Sequence, residues 1–344
     1  MIVPSFRRGS GGHNLLFQLL WRLERMGHTC SVWHIDPMNW QREPAAVVRE
    51  AIREYFAPIE APVFKGFDEW FGADVVLATG WQTVWESLGL DAVRARGYVV
   101  NDHEPEFYAT SDESHWATLS YGHDQFCICG SPWLQSLMTD RYGLEASVFE
   151  YGVDHDVYSP RPIDRRRDTI IFYSRITTPR RATTLGVQAL GELHRRRPDV
   201  RILHFGDIQE PRTEYPFEHV GIVSPAQLSW LYSEATVGLS LSMTNFSLVP
   251  KEMMACGLPV VELDMPSARS IFKETGPIEL SAFDPFDLAS HMERLLDDRA
   301  LWEERSRAGA ERVAEATWDR AALEVEHGVR EALRSRERAA ALTP

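Results

Sequence analysis

Glu252 is a residue whose type and setting together indicate chemistry. It lies between two short apolar runs, residues 237–241 and 258–263, which are typical of strands covered on both faces. The chain between these runs is predicted to be a loop followed by a short helix that carries Glu252. A loop at the carboxyl end of a parallel strand, leading into a helix with free amides, is a place where phosphates and sugar hydroxyls bind. A carboxylate there can accept hydrogen bonds from two neighbouring hydroxyls.

The bounds of this short helix follow from three residues. Ser247 is the predicted N-cap, because its hydroxyl can accept a hydrogen bond from a free amide of the first turn. Pro250 then falls within the first turn, where the amide that it lacks has no partner inside a helix. Gly257 is predicted to end the helix. The carboxylate of Glu252 therefore belongs to the start of the helix, about one turn from its first residue.

A second group of charged residues lies in the segment Ser174-Arg-Ile-Thr-Thr-Pro-Arg-Arg181. Arg175 follows the predicted strand at residues 169–173, and Arg180 and Arg181 lie where the next helix is expected to begin. Fixed positive charge beside free helix amides suits a pyrophosphate. The alternative is that these arginines pair with carboxylates on the surface.

An acidic turn, Asn101-Asp-His-Glu-Pro-Glu-Phe-Tyr108, follows the predicted strand at residues 97–100. Ionisable side chains at the end of a buried strand must stay solvated, be paired or change their protonation state. Asp102 and Glu104 are therefore either functional carboxylates or members of a solvated turn, which the proline of the segment also favours. The residues alone leave both alternatives open.

A glycine-rich turn, Arg8-Gly-Ser-Gly-Gly-His13, separates the first predicted strand from a predicted helix at residues 14–26. This pattern is the opening of a βαβ unit. Gly11 and Gly12 either form a tight turn that lets strand and helix pack, or let the backbone approach a ligand. For His13 we expect a capping or surface role.

Length and composition indicate the kind of protein to which these segments belong. A chain of 344 residues, 44% of them hydrophobic, favours two domains, and two Rossmann-like halves fit. The formal net charge of −14 argues against a protein that follows a nucleic-acid backbone. The four cysteines lack zinc-site spacing, so we expect reduced, buried thiols. No stretch approaches the roughly 20 apolar residues of a membrane-spanning helix. We therefore expect a cytoplasmic protein.

These segments resemble those of retaining, family-4-type glycosyltransferases of the GT-B fold. The donor loop of that family has two glutamates separated by seven residues, then Ala-Met-Ala-x-Gly-x-Pro-Val, and this chain has Glu252-Met-Met-Ala-Cys-Gly-Leu-Pro-Val-Val. Tyr151-Gly-Val-Asp-His-Asp-Val-Tyr-Ser-Pro160 is similar to the crossing between the two domains of the family. Asp102-x-Glu-Pro-x-Phe107 and Ser131-Pro-Trp-Leu resemble the subgroup that contains rhamnosyltransferases of bacterial surface-glycan assembly.

The resemblance implies a role for each matching residue. Glu252 matches the second glutamate, which holds the ribose hydroxyls of the nucleotide. Arg175 and Arg181 match the two cations on the donor phosphates, with Arg181 in place of a lysine and Arg180 beside it as the alternative. Gly11 and Gly12 match glycines that approach the same phosphates.

Thr244 is the departure from the family, because it lies where the first glutamate is expected. A neutral hydroxyl cannot hold a sugar diol as a carboxylate can, and a deoxy sugar such as rhamnose is compatible with this change. The expected donor-binding residues are Gly11, Gly12, Thr244, Asn245, Phe246, Ser247, Leu248 and Glu252. The expected catalytic residues are Arg175, Arg181, Asp102 and Glu104, of which the two acids would contact the acceptor hydroxyl or the donor sugar.

The implied architecture is an α/β fold of the GT-B type, with two Rossmann-like domains facing a central cleft. We expect an acceptor-side domain at residues 1–152, a donor-binding domain at 153–315, and a C-terminal helix at 316–344 that crosses back to the first domain. The connection Arg161-Pro-Ile-Asp-Arg-Arg-Arg167 is expected to be solvated.

The expected function is transfer of a sugar from a nucleotide diphosphate donor to a glycan, lipid-linked or small-molecule acceptor, with retention and without metal or cofactor. Nucleic acid is not an expected partner, and peripheral contact with the inner face of the cell membrane stays open. A decayed GT-B scaffold would also tolerate Thr244. A nicotinamide-dependent dehydrogenase is a further alternative, although Gly9-x-Gly11-Gly12 lacks the usual Gly-x-Gly-x-x-Gly spacing.

Overall fold

The computed structural model describes residues 1–165, 168–273 and 276–342. The chain forms two compact units. Unit 1 comprises Met1–Gly152 together with Trp318–Pro344, and unit 2 comprises Val153–Thr317. Arg166 and Arg167 of the predicted solvated connection lie outside the described residues, as do the last two residues of the predicted C-terminal helix.

Unit 1 consists of parallel strands that alternate with helices. Its strands are β1 (Ile2–Pro4), β2 (Val32–Ile35), β3 (Val63–Lys65), β4 (Ala73–Ala78), β5 (Val93–Val100), β6 (Phe126–Cys129) and β7 (Ala146–Val148). Its helices are α1 (Gly11–Arg25), α2 (Ala45–Tyr55), α3 (Trp81–Leu88), α4 (Asp112–Ser120), α5 (Pro132–Ser136) and, from the end of the chain, α12 (Trp318–Leu342).

The strands of unit 1 form two sheets, ordered β1-β2-β3 and β4-β5-β6-β7. β1 lies beside β4, and the Thr79 hydroxyl after β4 donates to the Ile2 carbonyl at 2.7 Å. Across the unit the order is therefore 3-2-1-4-5-6-7, which is that of a doubly wound fold. In such a fold the strand order reverses between the first and fourth strands.

Helix α12 covers part of this sheet, packing against strands β4 to β7 and against α1. It approaches most closely at Gly328, where a Cβ atom would lie 2.5 Å from the Ser147 hydroxyl and 2.9 Å from Ile128. The Glu324 carboxylate accepts a hydrogen bond from the Glu150 amide at 2.7 Å. The predicted return of the C-terminal helix to the first domain is confirmed.

Unit 2 repeats the alternation of strands and helices. Its strands are β8 (Thr169–Tyr173), β9 (Arg201–Phe205), β10 (Glu218–Gly221), β11 (Val237–Leu239), β12 (Val260–Leu263) and β13 (Glu279–Ser281). Its helices are α6 (Thr183–Arg196), α7 (Pro225–Glu234), α8 (Val249–Ala255), α9 (Pro266–Phe272), α10 (Pro285–Asp297) and α11 (Arg299–Val313).

All neighbouring strands of unit 2 are parallel, in the order β10-β9-β8-β11-β12-β13. Counted within the unit, this is 3-2-1-4-5-6, the doubly wound order again. Its core lies between the sheet and helices α6 and α10, and includes Phe172, Leu190, Leu239, Val261 and Met292. Short apolar strands covered on both faces are what a parallel sheet requires.

The predicted elements agree with the structure in several places. The strand predicted at residues 169–173 has those bounds, and β12 lies within the apolar run predicted at 258–263. Gly257, with φ of 70°, follows α8 as predicted. The short strand β3 was not expected.

Two helix starts differ from the prediction. α1 begins at Gly11, not residue 14, because the turn is made earlier by Gly9, whose φ is 79°. Ser247 is not the N-cap of α8, which begins at Val249 after Leu248. The Ser247 hydroxyl lies 3.4 Å from the Ser240 hydroxyl inside the loop, so it is turned away from the helix amides.

The cysteines are free thiols, of which Cys127, Cys129 and Cys256 are buried and Cys30 is half-buried. Burial raises the pKa of Cys256 to about 11, so this thiol stays protonated and unreactive at neutral pH. Within the described ranges, no helix combines the length and the apolar character needed to cross a bilayer.

Candidate functional site

The carboxyl ends of β8 and β11, the first and fourth strands of unit 2, lie side by side in the sheet. The loops that leave two such strands diverge to opposite faces of a doubly wound sheet, which opens a crevice for a ligand. The loop after β8 carries Arg175 and Arg181, and the loop after β11 comprises residues 240–248. The Met243 amide donates to the Arg180 carbonyl at 2.9 Å. The structure thus joins the two segments that the sequence predicts for the donor.

Arg181 extends from the first of these loops into the second. Its Nη1 donates to the Ser242 hydroxyl and lies 3.4 Å from the Asn245 carbonyl. The Ser242 hydroxyl donates to the same carbonyl at 2.6 Å. The side chain of Arg181 is half-buried. A guanidinium has five N–H donors, so these bonds of Nη1 leave donors for an anionic ligand.

Asp207, after β9, holds the loop that carries Arg175. Its Oδ2 accepts from the Thr177 amide and hydroxyl, both at 2.9 Å. Burial acts to raise the pKa of Asp207, and the hydrogen bonds from Thr177 and nearby amides lower it below its ordinary value. The sequence patterns do not single out Asp207. Arg175 is half-buried and its Nη1 donates to the Tyr173 hydroxyl at 3.3 Å.

The Glu252 carboxyl group lies beside two tyrosines that the sequence did not indicate. Glu252 keeps part of its surface accessible, but its carboxyl is enclosed by protein, and burial raises its pKa to about 7. A hydrogen bond from Tyr158 opposes that rise. Burial, and then the charge of Glu252, raise the pKa of Tyr232. Ligand hydroxyls that donate to this carboxyl would favour its ionised form.

Most residues of the predicted donor loop are buried. Thr244, Asn245, Phe246 and Ser247 are buried, and Leu248 is half-buried. The Thr244 carbonyl accepts from the Ser267 hydroxyl, and the Phe246 ring packs edge-on against Phe272, with centroids 5.9 Å apart. These four side chains are therefore enclosed by protein in this arrangement, and donor binding by the loop stays a prediction.

The corresponding edge of unit 1 carries Gly11 and Gly12, exposed in the first turn of α1. A Cβ atom at Gly12 would lie 3.3 Å from Asn101 Nδ2, so a side chain there would press on the segment after β5. His13 Nδ1 lies 2.8 Å from the Ser10 hydroxyl, and burial lowers the pKa of His13 to about 4. His13 is therefore neutral and half-buried, and the capping or surface role expected for it stays a prediction.

Glu104 is buried in unit 1 and hydrogen-bonded to two of its elements. It is 5% exposed; its Oε1 accepts from the Tyr98 hydroxyl at 2.6 Å, and its Oε2 accepts from the Trp81 amide at 2.8 Å. Trp81 is the first residue of α3, so Glu104 satisfies a free amide of that helix. This geometry gives Glu104 a structural role within unit 1, and its contact with a substrate stays a prediction.

Asp102 and His103 are also buried, so the alternative of a solvated turn is wrong. Asp102 Oδ1 accepts from the His103 amide at 2.9 Å. His103 Nε2 lies 2.9 Å from the Tyr142 hydroxyl. The structure brings Asn101, Asp102 and the α1 glycines to the same edge of the sheet, at the carboxyl ends of the strands.

In the part of the chain that the structure describes, no group of three or more His, Cys, Asp or Glu side chains has the arrangement of a metal site. Metal-independent chemistry stays a prediction.

Comparison with protein families finds one model that matches. Residues 168–293 match the C-terminal domain of WsaF. The matched range contains the strands β8 to β13 and every predicted residue of unit 2.

Two curated relatives align with most of the chain. It is 30% identical over 252 residues to the O-antigen biosynthesis protein RfbC of Myxococcus xanthus, an alignment that covers 72% of this chain and 20% of that protein. It is 27% identical over 234 residues to the D-inositol 3-phosphate glycosyltransferase of Paenarthrobacter aurescens, covering 60% of this chain and 57% of the relative. The chain therefore spans one fifth of the length of the first relative and less than two thirds of the second.

Solved structures resemble the chain over nearly its full length. A sucrose-phosphate synthase from Thermosynechococcus elongatus has a TM-score of 0.73 at 15% identity, covering 97% of this chain and 100% of that one. Anabaena HepE in complex with UDP-glucose has a TM-score of 0.71 at 15% identity, covering 97% and 99%. The predicted GT-B fold and the resemblance to GT-B glycosyltransferases are confirmed. The family-4 and rhamnosyltransferase subgroups stay predictions.

Proposed function

We propose that this chain is a glycosyltransferase that transfers a sugar from a nucleoside diphosphate donor held by unit 2. The observation that supports this most is the meeting of Arg181 with residues 242–245 at the carboxyl edge of β8 and β11. Arg175 lies on the same loop after β8, and Glu252 follows the loop after β11. Two cations and one carboxyl on adjacent loops suit a diphosphate joined to a ribose.

The proposed reaction breaks the bond between the anomeric carbon and the diphosphate, which leaves with the electron pair. The acceptor oxygen forms its new bond on the same face of the sugar, and its proton passes to the departing phosphate. Arg175 and Arg181 stabilise the charge that grows on the diphosphate, because fixed cations need little reorganisation during the reaction. We therefore propose retention, with the two arginines in the role that a metal ion plays in other transferases.

Glu252 is proposed to bind the ribose. Its pKa of about 7 means that the free protein holds a mixture of neutral and ionised carboxyl near neutral pH. Two ribose hydroxyls that donate to it would stabilise the carboxylate and release a proton. Tyr158, which bonds to the same carboxyl, is then the residue that orients it.

The sugar is proposed to be selected by backbone groups and shape. The Thr244 side chain is neutral and 4% exposed, which suits a deoxy sugar such as rhamnose better than a sugar bound through a charged diol contact. A surface-glycan, lipid-linked or small-molecule acceptor is proposed for unit 1, near Asp102. The names of the relatives, with O-antigen biosynthesis and a UDP-glucose complex among them, support testing glycan acceptors and UDP first.

The test is a calorimetric titration of the metal-free protein with UDP, GDP and dTDP. We expect one of the three to bind in the micromolar range. Arg175→Ala, Arg181→Ala and Glu252→Ala should each weaken that binding by about tenfold to a hundredfold, because a hydrogen bond to a charged group is worth about 1.5 to 3 kcal/mol.

Arg195→Ala is the matched control, because Arg195 lies on α6, is 69% exposed and pairs only with Glu192 among the described residues. It should bind as the wild type does. Equal binding by all four variants would place the nucleotide elsewhere. Failure of all three nucleotides to bind the wild type would favour the second candidate, a decayed scaffold, for which the replacement of a family glutamate by Thr244 is the motivating observation.

A further inference from the structure

Glu262, on strand β12, is a buried acid that the proposed reaction does not use. Its side chain is fully buried. Oε1 accepts hydrogen bonds from the Ser242 amide at 2.7 Å and from the Leu263 amide at 2.9 Å. Oε2 has no hydrogen-bond partner among the residues that the structure describes. A buried carboxylate with an unbonded oxygen is costly unless it is neutral or paired with a charge.

Arg181 is the charged group that acts on Glu262. Burial raises the pKa of Glu262 to about 8, and the two amides and then the charge of Arg181 oppose that rise. No other ionisable group of the described residues contributes to its shift. Near neutral pH the carboxyl is therefore mostly protonated, and the charge of Arg181 favours its ionised form.

Ser242 forms hydrogen bonds with both Glu262 and Arg181. Its amide donates to Glu262 Oε1, while its hydroxyl accepts from Arg181 Nη1. Arg181 and Glu262 thus fix the same residue of the loop from two sides. Because the charge of Arg181 acts on Glu262, a change in the charge of Glu262 also acts on Arg181, and such interactions are less screened by water where one group is buried.

We propose that Glu262 is a positioning residue of the donor site, which fixes Ser242 and controls the positive charge that Arg181 offers to a nucleoside diphosphate. This inference rests on the proposed function of unit 2. With Glu262 protonated, the charge of Arg181 is available to the diphosphate. With Glu262 ionised, the carboxylate and the diphosphate compete for that charge, and they also repel each other.

The consequence is a linkage between nucleotide binding and the protonation of Glu262. Binding of the diphosphate favours the protonated acid, so the affinity for nucleotide falls as the pH rises through about 8. The expected fall is about threefold to tenfold, which is the size produced when the bound diphosphate shifts the carboxyl pKa by up to about one unit.

The test compares wild type with Glu262→Gln, using whichever of UDP, GDP and dTDP binds the wild type. Affinities are measured by calorimetry between pH 7.5 and 9.5, where a phosphate with a pKa near about 6 no longer titrates. Glutamine keeps the shape of the protonated acid and cannot ionise. We expect the wild type to lose affinity over this range and Glu262→Gln to lose less, with equal affinities at pH 7.5.

Glu279→Gln is the matched control. Glu279 lies on the neighbouring strand β13 and is buried, but it pairs with His291 and Arg305. Its replacement should leave the pH dependence of nucleotide binding unchanged. A purely structural role for Glu262 would alter affinity by the same factor at every pH.

A measurement on the wild type alone decides the question if Glu262→Gln does not fold. At pH 8.5 Glu252, with its pKa of about 7, is already almost fully ionised and has little proton left to release. Titrations at this pH in two buffers with different ionisation enthalpies should reveal net uptake of a fraction of a proton per nucleotide bound. Equal pH dependence in wild type and variant, or no proton uptake, overturns the inference while the proposed function stands. No binding of any nucleotide by the wild type overturns both.

Discussion

Replacing Glu262 with glutamine is expected to change how the free energy of unfolding depends on pH. The pKa of Glu262 is raised from 4.5 to about 8 by burial in the folded protein. The contribution of Glu262 to the free energy of unfolding is therefore fully present below a pH of about 4.5 and is lost as the pH rises through about 8. Between these values the unfolded chain has released a proton that the folded protein still holds.

The size of the effect follows from the two pKa values. They differ by about 3.5, and each pKa unit corresponds to about 1.36 kcal/mol, so the full loss is about 4 to 5 kcal/mol. Glu262→Gln removes this loss because the amide does not ionise. The variant should therefore be relatively more stable at high pH, whatever its stability at low pH.

The assay is urea denaturation of wild type and Glu262→Gln at pH 5 and at pH 8.5. Between pH 5 and pH 8.5 the free energy of unfolding of the wild type should fall by about 3 to 4 kcal/mol more than that of the variant. Most of the pH range in which the folded and unfolded chains differ in the protonation of Glu262 lies between these two values. Groups that titrate in both proteins cancel in this double difference. Equal losses in the two proteins would refute the reasoning, because Glu262 would then be ionised in the folded state or exposed to water.

Two further predictions concern the fold. The pKa of Glu279 is lowered to about 2, with the bond to His291 as the largest cause and Arg305 contributing. The stabilising effect of this carboxylate is present above a pH of about 4.5 and is lost as the pH falls toward 2. The difference in melting temperature between wild type and Glu279→Gln should therefore shrink between pH 6 and pH 3, and a constant difference would contradict this. Gly328→Leu should destabilise the protein by about 1 to 3 kcal/mol in urea denaturation, because α12 must move away from β6 and β7. Leu323→Ala, at a 58% exposed position of the same helix, should change stability by no more than about 0.5 kcal/mol. Similar effects of the two changes would contradict the close packing at Gly328.

The parts of the fold that sequence alone predicts best are the buried strands. Residues 126–129 and 169–173 are short apolar runs with polar residues on both sides, so their bounds follow from composition. The start of α1 could not be placed the same way, because glycines are equally suited to a loop and to an exposed first turn. β3 has only three residues, Val63–Lys65, which is too short for an alternating pattern to be recognised.

The candidate site shows a similar division. Arg175, Arg181 and Glu252 could be found because their spacing matches a known pattern. Glu262 could not, because a single carboxyl inside an apolar strand reveals nothing about the amide of Ser242, which is distant in sequence and becomes its neighbour only when β11 and β12 pair.

The hydrogen bonds from Thr177 to Asp207 could not be predicted from the sequence for the same reason. They depend on β8 and β9 ending at the same edge of the sheet. Partners that come from different strands are fixed by the register of the sheet, and single-sequence patterns do not specify that register.

The central claim, that unit 2 holds a nucleoside diphosphate through the loops after β8 and β11, is tested most directly by hydrogen–deuterium exchange with and without the nucleotide that binds. The account predicts slower exchange in residues 175–181 and 240–248 and in helix α8, with no change in helix α12. Slower exchange confined to unit 1, or none in these loops at saturating nucleotide, would contradict it.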